Sequence, residues 1–132
     1  MKIAVSTTGK DLNSQLDPRF GRCRYFILID SESMNFEIVE NEGLMASGGA
    51  GVQAAQMVAQ KGATTIITGN LGPNAASALS ASGIKVYLAP GGTVRDVIES
   101  YRAGRLQEAS GATVSPHFGM GGGRGMGRRG GV

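Results

Sequence analysis

The chain has 132 residues, 13 Lys and Arg against 10 Asp and Glu, and a formal charge of +3; this is one domain's length, too short for two independent cores. Residues 1–110 hold ten basic and ten acidic residues, so the excess charge sits in Arg124, Arg128 and Arg129, in a final stretch that also holds 9 of the 22 glycines and no acid. With 41% hydrophobic residues but no apolar run near the ~20 residues of a membrane helix, and with Ser6 to Asp11 polar where a signal peptide is apolar, the expectation is a cytoplasmic protein with no membrane association.

Lys2 to Thr7 is a short apolar strand at the N-terminus. A long polar loop follows, with Gly9, Asp11, Asn13 and Asp17-Pro18 unable to extend it. Tyr25 to Asp30 and Phe36 to Glu40, separated by the turn-like Ser31 to Asn35, predict a hairpin, the second arm alternating acidic and apolar residues like a half-exposed edge. From Gly51 the period changes. Val52, Ala55, Val58 and Ala59 share a helical face and Gly62 stands where a C-cap favours glycine. Thr64 to Thr68 is a β-branched, buried strand; Pro73 opens a second helix with a small-residue face of Ala75, Ala78, Leu79 and Ser82 that ends at Gly83. Ile84 to Ala89 is a fifth strand. Pro90-Gly91-Gly92 then turns into a third helix running to about Arg102, opened by Thr93 and Asp96 at capping-box spacing.

Helical crossovers make their flanking strands parallel and right-handed. The prediction is an α/β fold, a three-layer α/β/α sandwich around a five-stranded mixed sheet of order 3-2-1-4-5, with strand two antiparallel beside strand one. The domain covers 1–110 and a Gly/Arg/Met-rich cationic tail covers 111–132.

Ligands of such sheets bind beyond the carboxyl ends of the parallel strands, where the winding direction reverses, here between strands one and four. Four loops are expected at that edge: Gly9 to Arg24, Gly48 to Gly51, Gly69 to Asn74 and Pro90 to Thr93. Glycines let backbone N–H groups approach a ligand and helix N-termini favour anions. The candidate binding residues are therefore Arg19, Arg22, Cys23, Gly49, Gly51, Gly69, Asn70, Gly91 and Gly92. The Gly48–Gly51 stretch lacks the Lys and Ser/Thr of a phosphate-binding loop, and no dinucleotide fingerprint follows strand one.

Cys23 is the sole cysteine, so no intrachain disulfide and no four-cysteine metal site can form. Two readings of it stand side by side. Buried, it is a small hydrophobe; exposed between Arg22 and Arg24, it would be held as a thiolate. Cys23 and His117 are the candidate metal ligands. Asp11, Asp17 and Asp30 form no recognisable acid–base pair, and no Ser/His/Asp or Cys/His arrangement is suggested, so no enzyme is expected.

Four stretches carry a resemblance: Asp17 to Cys23 (DPRFGRC), Gly49 to Ala55 (GAGVQAA), Thr68 to Ala75 (TGNLGPNA), and Ile84 to Tyr87 with Ala89 to Thr93. Together, in this order, they resemble the dinitrogenase iron–molybdenum cofactor biosynthesis family, the NifX-like domains, over about residues 1–108. The resemblance implies a ribonuclease H-like fold, no catalysis, and binding, carriage or storage of iron–sulfur clusters or an iron–molybdenum cofactor precursor, with cluster-delivery proteins as partners. Many members carry a histidine where this chain has Arg19, which leaves Cys23 to take over ligation with Arg19 and Arg22 as electrostatic support. One cysteine per chain then implies a homo-oligomer around any thiolate-bound cluster.

The tail, outside the resemblance, cannot bury enough apolar surface to order itself. Its arginines suit either anionic iron–sulfide species, with Met120, Met126 and His117 as soft or borderline ligands, or RNA phosphates. Nucleic acid is the weaker reading, because only Phe118 supplies an aromatic ring. A tail-driven RNA- or protein-interaction module and a binder of a small phosphate-bearing ligand stand as alternatives to cluster carriage.

Overall fold

The computed structural model describes residues 1–42 and 49–109. Its elements run β1 (Lys2–Thr7), β2 (Tyr25–Asp30), β3 (Phe36–Glu40), α1 (Ala50–Gln60), β4 (Thr65–Thr68), α2 (Pro73–Ala81), β5 (Lys85–Leu88), α3 (Val94–Arg102) and β6 (Gln107–Ala109). The sheet order is β3-β2-β1-β4-β5-β6. β1, β4 and β5 are parallel, β2 lies antiparallel beside β1, and β3 and β6 are antiparallel edges.

The hairpin, the parallel centre and all three helices stand where the hydrophobic pattern puts them. The sixth strand corrects the expected five. Gln107 and Ala109 pair with Leu88 and Val86, after Gly104 (φ 73°) has turned the chain at the end of α3. Three residues, two of them polar and exposed, carry no alternation from which a strand could be read.

Strand alternation sends side chains to two separate cores. Ala4, Phe26, Leu28, Ile66 and Val86 meet Ala54, Ala55 and Val58 of α1 and Ala75 and Leu79 of α2. Ile3, Val5, Ile27, Ile29 and Ile67 meet Val94, Val97 and Ile98 of α3 on the opposite face. The sheet is thus the middle of three layers, two helices on one face and one on the other. β1 is buried at five of its six positions, as a strand covered on both faces must be. The 111–132 tail, with His117, lies outside the described residues, as does Gly48.

Candidate functional site

The carboxyl ends of β1 and β4 are tied together by buried hydroxyls. Ser6 Oγ donates to the Asp17 carbonyl at 2.7 Å and lies 2.8 Å from Thr68 Oγ1; since Ser6 has one hydroxyl proton, Thr68 is the donor to Ser6. The Asp17 N–H in turn donates to the Ser6 carbonyl at 2.8 Å. The long loop is therefore bolted to β1 at Asp17, and its path divides there.

The half before Asp17 folds over α3. Leu16 N donates to Gly92 O, Val94 N to Ser14 O and Arg95 N to Leu12 O. Thr93 N and Asp96 N are satisfied by the reciprocal capping box, whose Asp96 also places a carboxylate in the first turn. Every N–H from Thr93 to Asp96 has a partner. The glycines at 91 and 92 are thus part of a closed turn: Gly92 accepts from Leu16, and a Cβ on it would lie 3.3 Å from that of Asp96. This loop is bonded to residues 12–16 of the first loop, and the N–H groups from Thr93 to Asp96 are already engaged.

The half after Asp17 crosses toward α1 and α2 with almost no clearance. Asn70 N donates to Pro18 O at 2.7 Å, and Arg19 bridges Asn70 in parallel register. Glycine is required at two of these crossings. A Cβ on Gly69 would stand 2.7 Å from Pro18 Cα and Cβ, and one on Gly21 would stand 2.8 Å from the Gly51 N and Cα. A Cβ on Gly51 would in turn be 3.0 Å from Ala75 Cβ, so the first turns of α1 and α2 lie against each other.

These two helix starts differ chemically from that of α3. Gly49 (φ 72°) and Gly72 are their N-caps, neither helix has a capping side chain, and neither has an acid in its first turn. Among the described residues, no hydrogen bond engages the N–H groups of Ala50, Gly51 and Val52, or those of Asn74 and Ala75. Two positive dipole ends with uncommitted donors meet here, an arrangement that receives anions.

Arg19 borders them as a fixed cation. Asp17, 3% exposed, takes the Arg19 N–H at 2.9 Å and the Nε and Nη2 at 3.2 Å each, while the Arg19 side chain is 61% exposed. The hydrogen bonds to Asp17, and then its charge, hold the guanidinium still further above its ordinary pKa. Asp17, Ser6 and Thr68 were not among the sequence candidates. The signal for Asp17 was present in Asp17-Pro18-Arg19, because an aspartate that bonds the N–H two residues on makes an Asx turn.

Cys23 takes the buried alternative. Its side chain has no exposure, its thiol donates to Phe20 O at 3.3 Å, and Asn41 Nδ2 donates to the Cys23 carbonyl at 2.8 Å. Burial, followed by the nearby Asp17 charge, pushes the thiol far above its ordinary pKa, against smaller opposing pulls from backbone hydrogen bonding and then from Arg19. The exposure on which a thiolate depends is not met, and the exposed Arg22 and Arg24 do not govern its ionisation. Among the described residues, no group of three or more His, Cys, Asp or Glu side chains could hold a metal ion.

The fold and this edge define a small α/β protein with a cradle of two uncapped helix starts and Arg19 at its switch point. The sequence profile of the family described as "Dinitrogenase iron-molybdenum cofactor" matches residues 1–104, and the chain belongs to that family. It is similar to the apo form of the orange protein from Desulfovibrio gigas, at 40% identity over 86% of this chain and 96% of that one, with a TM-score of 0.82. It is also similar to a NifB-like protein from Thermotoga, at 42% identity over 81% and 91% of the two chains, with a TM-score of 0.73. An uncharacterised protein of Methanocaldococcus jannaschii is 34% identical over 111 residues, covering 82% of this chain and 91% of its own length.

Proposed function

We propose that this protein binds and carries an anionic metal–sulfur species, an iron–sulfur cluster or a precursor of the iron–molybdenum cofactor, and catalyses no reaction of its own. The observation that carries the reading is the meeting of two uncapped, acid-free helix starts beside Arg19 in a chain of this family. Sulfide-rich clusters are anions, and oriented N–H donors with a guanidinium hold an anion without giving up a metal ligand.

The reading separates the cradle residues by task. Gly49, Gly51, Gly69 and Asn70 let the backbone close around the cargo, Arg19 supplies directed charge, and the exposed Arg22 adds attraction in solution. As placed, Cys23 becomes a ligand only if the Phe20–Cys23 turn opens, so the cargo is held first by N–H groups. Because one chain supplies donors from three segments, cargo retention does not require a second copy, and a homo-oligomer is not part of the proposal. The partners are the proteins that deliver and receive the cargo.

The test is anaerobic incubation of the full chain with ferrous iron and sulfide, followed by visible spectroscopy and assays of bound iron and acid-labile sulfide. The expected result is a charge-transfer band in the wild type and in Cys23→Ser, and a weaker band in Arg19→Gln at limiting iron and sulfide. A chain ending at Ala112 reads the contribution of the tail. A wild type that stays colourless and metal-free sinks the reading, and the same donors are then to be tried against phosphate ligands by thermal shift, since a ligand selective for the folded state raises its stability.

A further inference from the structure

Arg19 does not stand at the cradle as a mobile surface cation. Its backbone N–H, its Nε and its Nη2 all converge on the carboxylate of Asp17, whose side chain is 4% exposed. Asp17 is itself immobile, because its N–H and carbonyl are bonded to Ser6 at the end of β1, and Ser6 is bonded to Thr68 at the end of β4. Pro18, between them, is fixed by the Asn70 N–H. The guanidinium plane is thus set by a chain of bonds that reaches both central strands.

Charge makes this arrangement informative. An anionic cargo gains nothing at long range from a carboxylate that cancels much of the arginine's field, so Asp17 is poorly explained as part of an electrostatic funnel. Geometry explains it better. A carboxylate on Nε and Nη2 occupies one edge of the planar fork and leaves both Nη1 hydrogens and the second Nη2 hydrogen aimed outward in a fixed plane. An exposed arginine without that restraint would have to be ordered by the cargo itself, and that cost falls on affinity.

We propose that Asp17 is the positioning residue of the cargo site, holding Arg19 as a rigid, directional hydrogen-bond fork for an anion with several acceptor atoms, so that the pair slows release of the cargo more than it assists capture. The inference rests on the carrier reading above. It predicts that geometry, and not charge alone, matters at residue 19, so Arg19→Lys keeps the charge but not the function.

The experiment uses full-length protein loaded anaerobically with ferrous iron and sulfide, then diluted into a ferrous chelator while the charge-transfer band is followed. Asp17→Asn is expected to load to the wild-type iron and sulfide content but to release about tenfold faster, and Arg19→Lys to release comparably fast. In an Arg19→Gln background, brief loading at excess iron and sulfide should give a release rate that Asp17→Asn does not change further, because nothing remains for Asp17 to position. Thermal melts of each variant establish that the fold persists. Should Asp17→Asn release at the wild-type rate, or speed release equally with and without Arg19, the positioning role is overturned while the carrier reading stands. A wild type that never loads overturns both.

Discussion

The three helix starts of this protein are built in two ways. α3 begins under a capping box, with an acid in its first turn and residues 12–16 folded over its remaining donors. α1 and α2 begin on glycines without a side-chain cap or an acid; at Gly72, in the β region, Ser, Thr, Asp or Asn would stabilise the helix, whereas Gly49, at φ 72°, holds a conformation that strains any side chain. The difference teaches how the two faces are finished: one face of the sheet carries a helix whose first donors are all engaged, and the other carries two helices that start without a capping side chain.

The sharpest way to break the comparison is to disturb the crossing that closes the cradle. Gly69→Ala would place a Cβ 2.7 Å from Pro18 Cα, which neither backbone can avoid; a loss of about 3 kcal/mol in denaturant unfolding is expected, with cargo loading lost as well. Gly72→Ala, where a Cβ would meet nothing within 4 Å, should do neither.

The buried thiol on the same face gives the next effect. Its folded pKa is raised by burial, so its contribution is complete below the unfolded thiol's value and is lost as pH rises above it. Above about pH 8.5 stability should fall by up to about 1.4 kcal/mol per pH unit, measured as the difference between wild type and Cys23→Ala across a series of alkaline urea melts. Equal slopes for the two proteins would mean that the thiol is not the titrating group.

Thr93→Ala tests the finished helix. It should cost about 1 kcal/mol, visible as a lower melting temperature, and leave iron and sulfide loading intact. Gly72→Asp tests the open one in the opposite sense. A carboxylate at a β-region N-cap (φ −80°, ψ 169°) should stabilise α2 by about 0.5 kcal/mol and reduce loading, because the aspartate takes the donors and repels the anion. A variant that is both more stable and still fully loaded would show that the α2 start is no part of the cradle.

Much of this was legible in the chain. The β-rich run of β2, the alternation in β3, the β-branched run of β4, Pro73 at the start of α2 and the Thr93/Asp96 spacing each map onto a local rule, and each element stands where its rule places it. The candidate site was legible as a set of loops but not as a set of contacts. That the start of α3 has its donors engaged follows from residues 12–16 lying over it, a long-range packing that no periodicity encodes. The inward turn of Cys23 depends on Asn41, 18 residues away, and short irregular segments give no alternation from which to read facing. β6 escaped because three residues are too few to declare a period, and Asp17 because its partner two residues on looked like an isolated charge.

The direction of β6 has a consequence for how the molecule can be handled and addressed. The cradle lies at the carboxyl ends of β1 and β4, but β6 runs antiparallel to β5, with Gln107 opposite Leu88 and Ala109 opposite Val86. The backbone therefore departs from the described body at the rim remote from the cradle. A label or fused module held at Ala109 is therefore anchored nearer the amino end of β5 than the loops that Ser6 and Thr68 tie together.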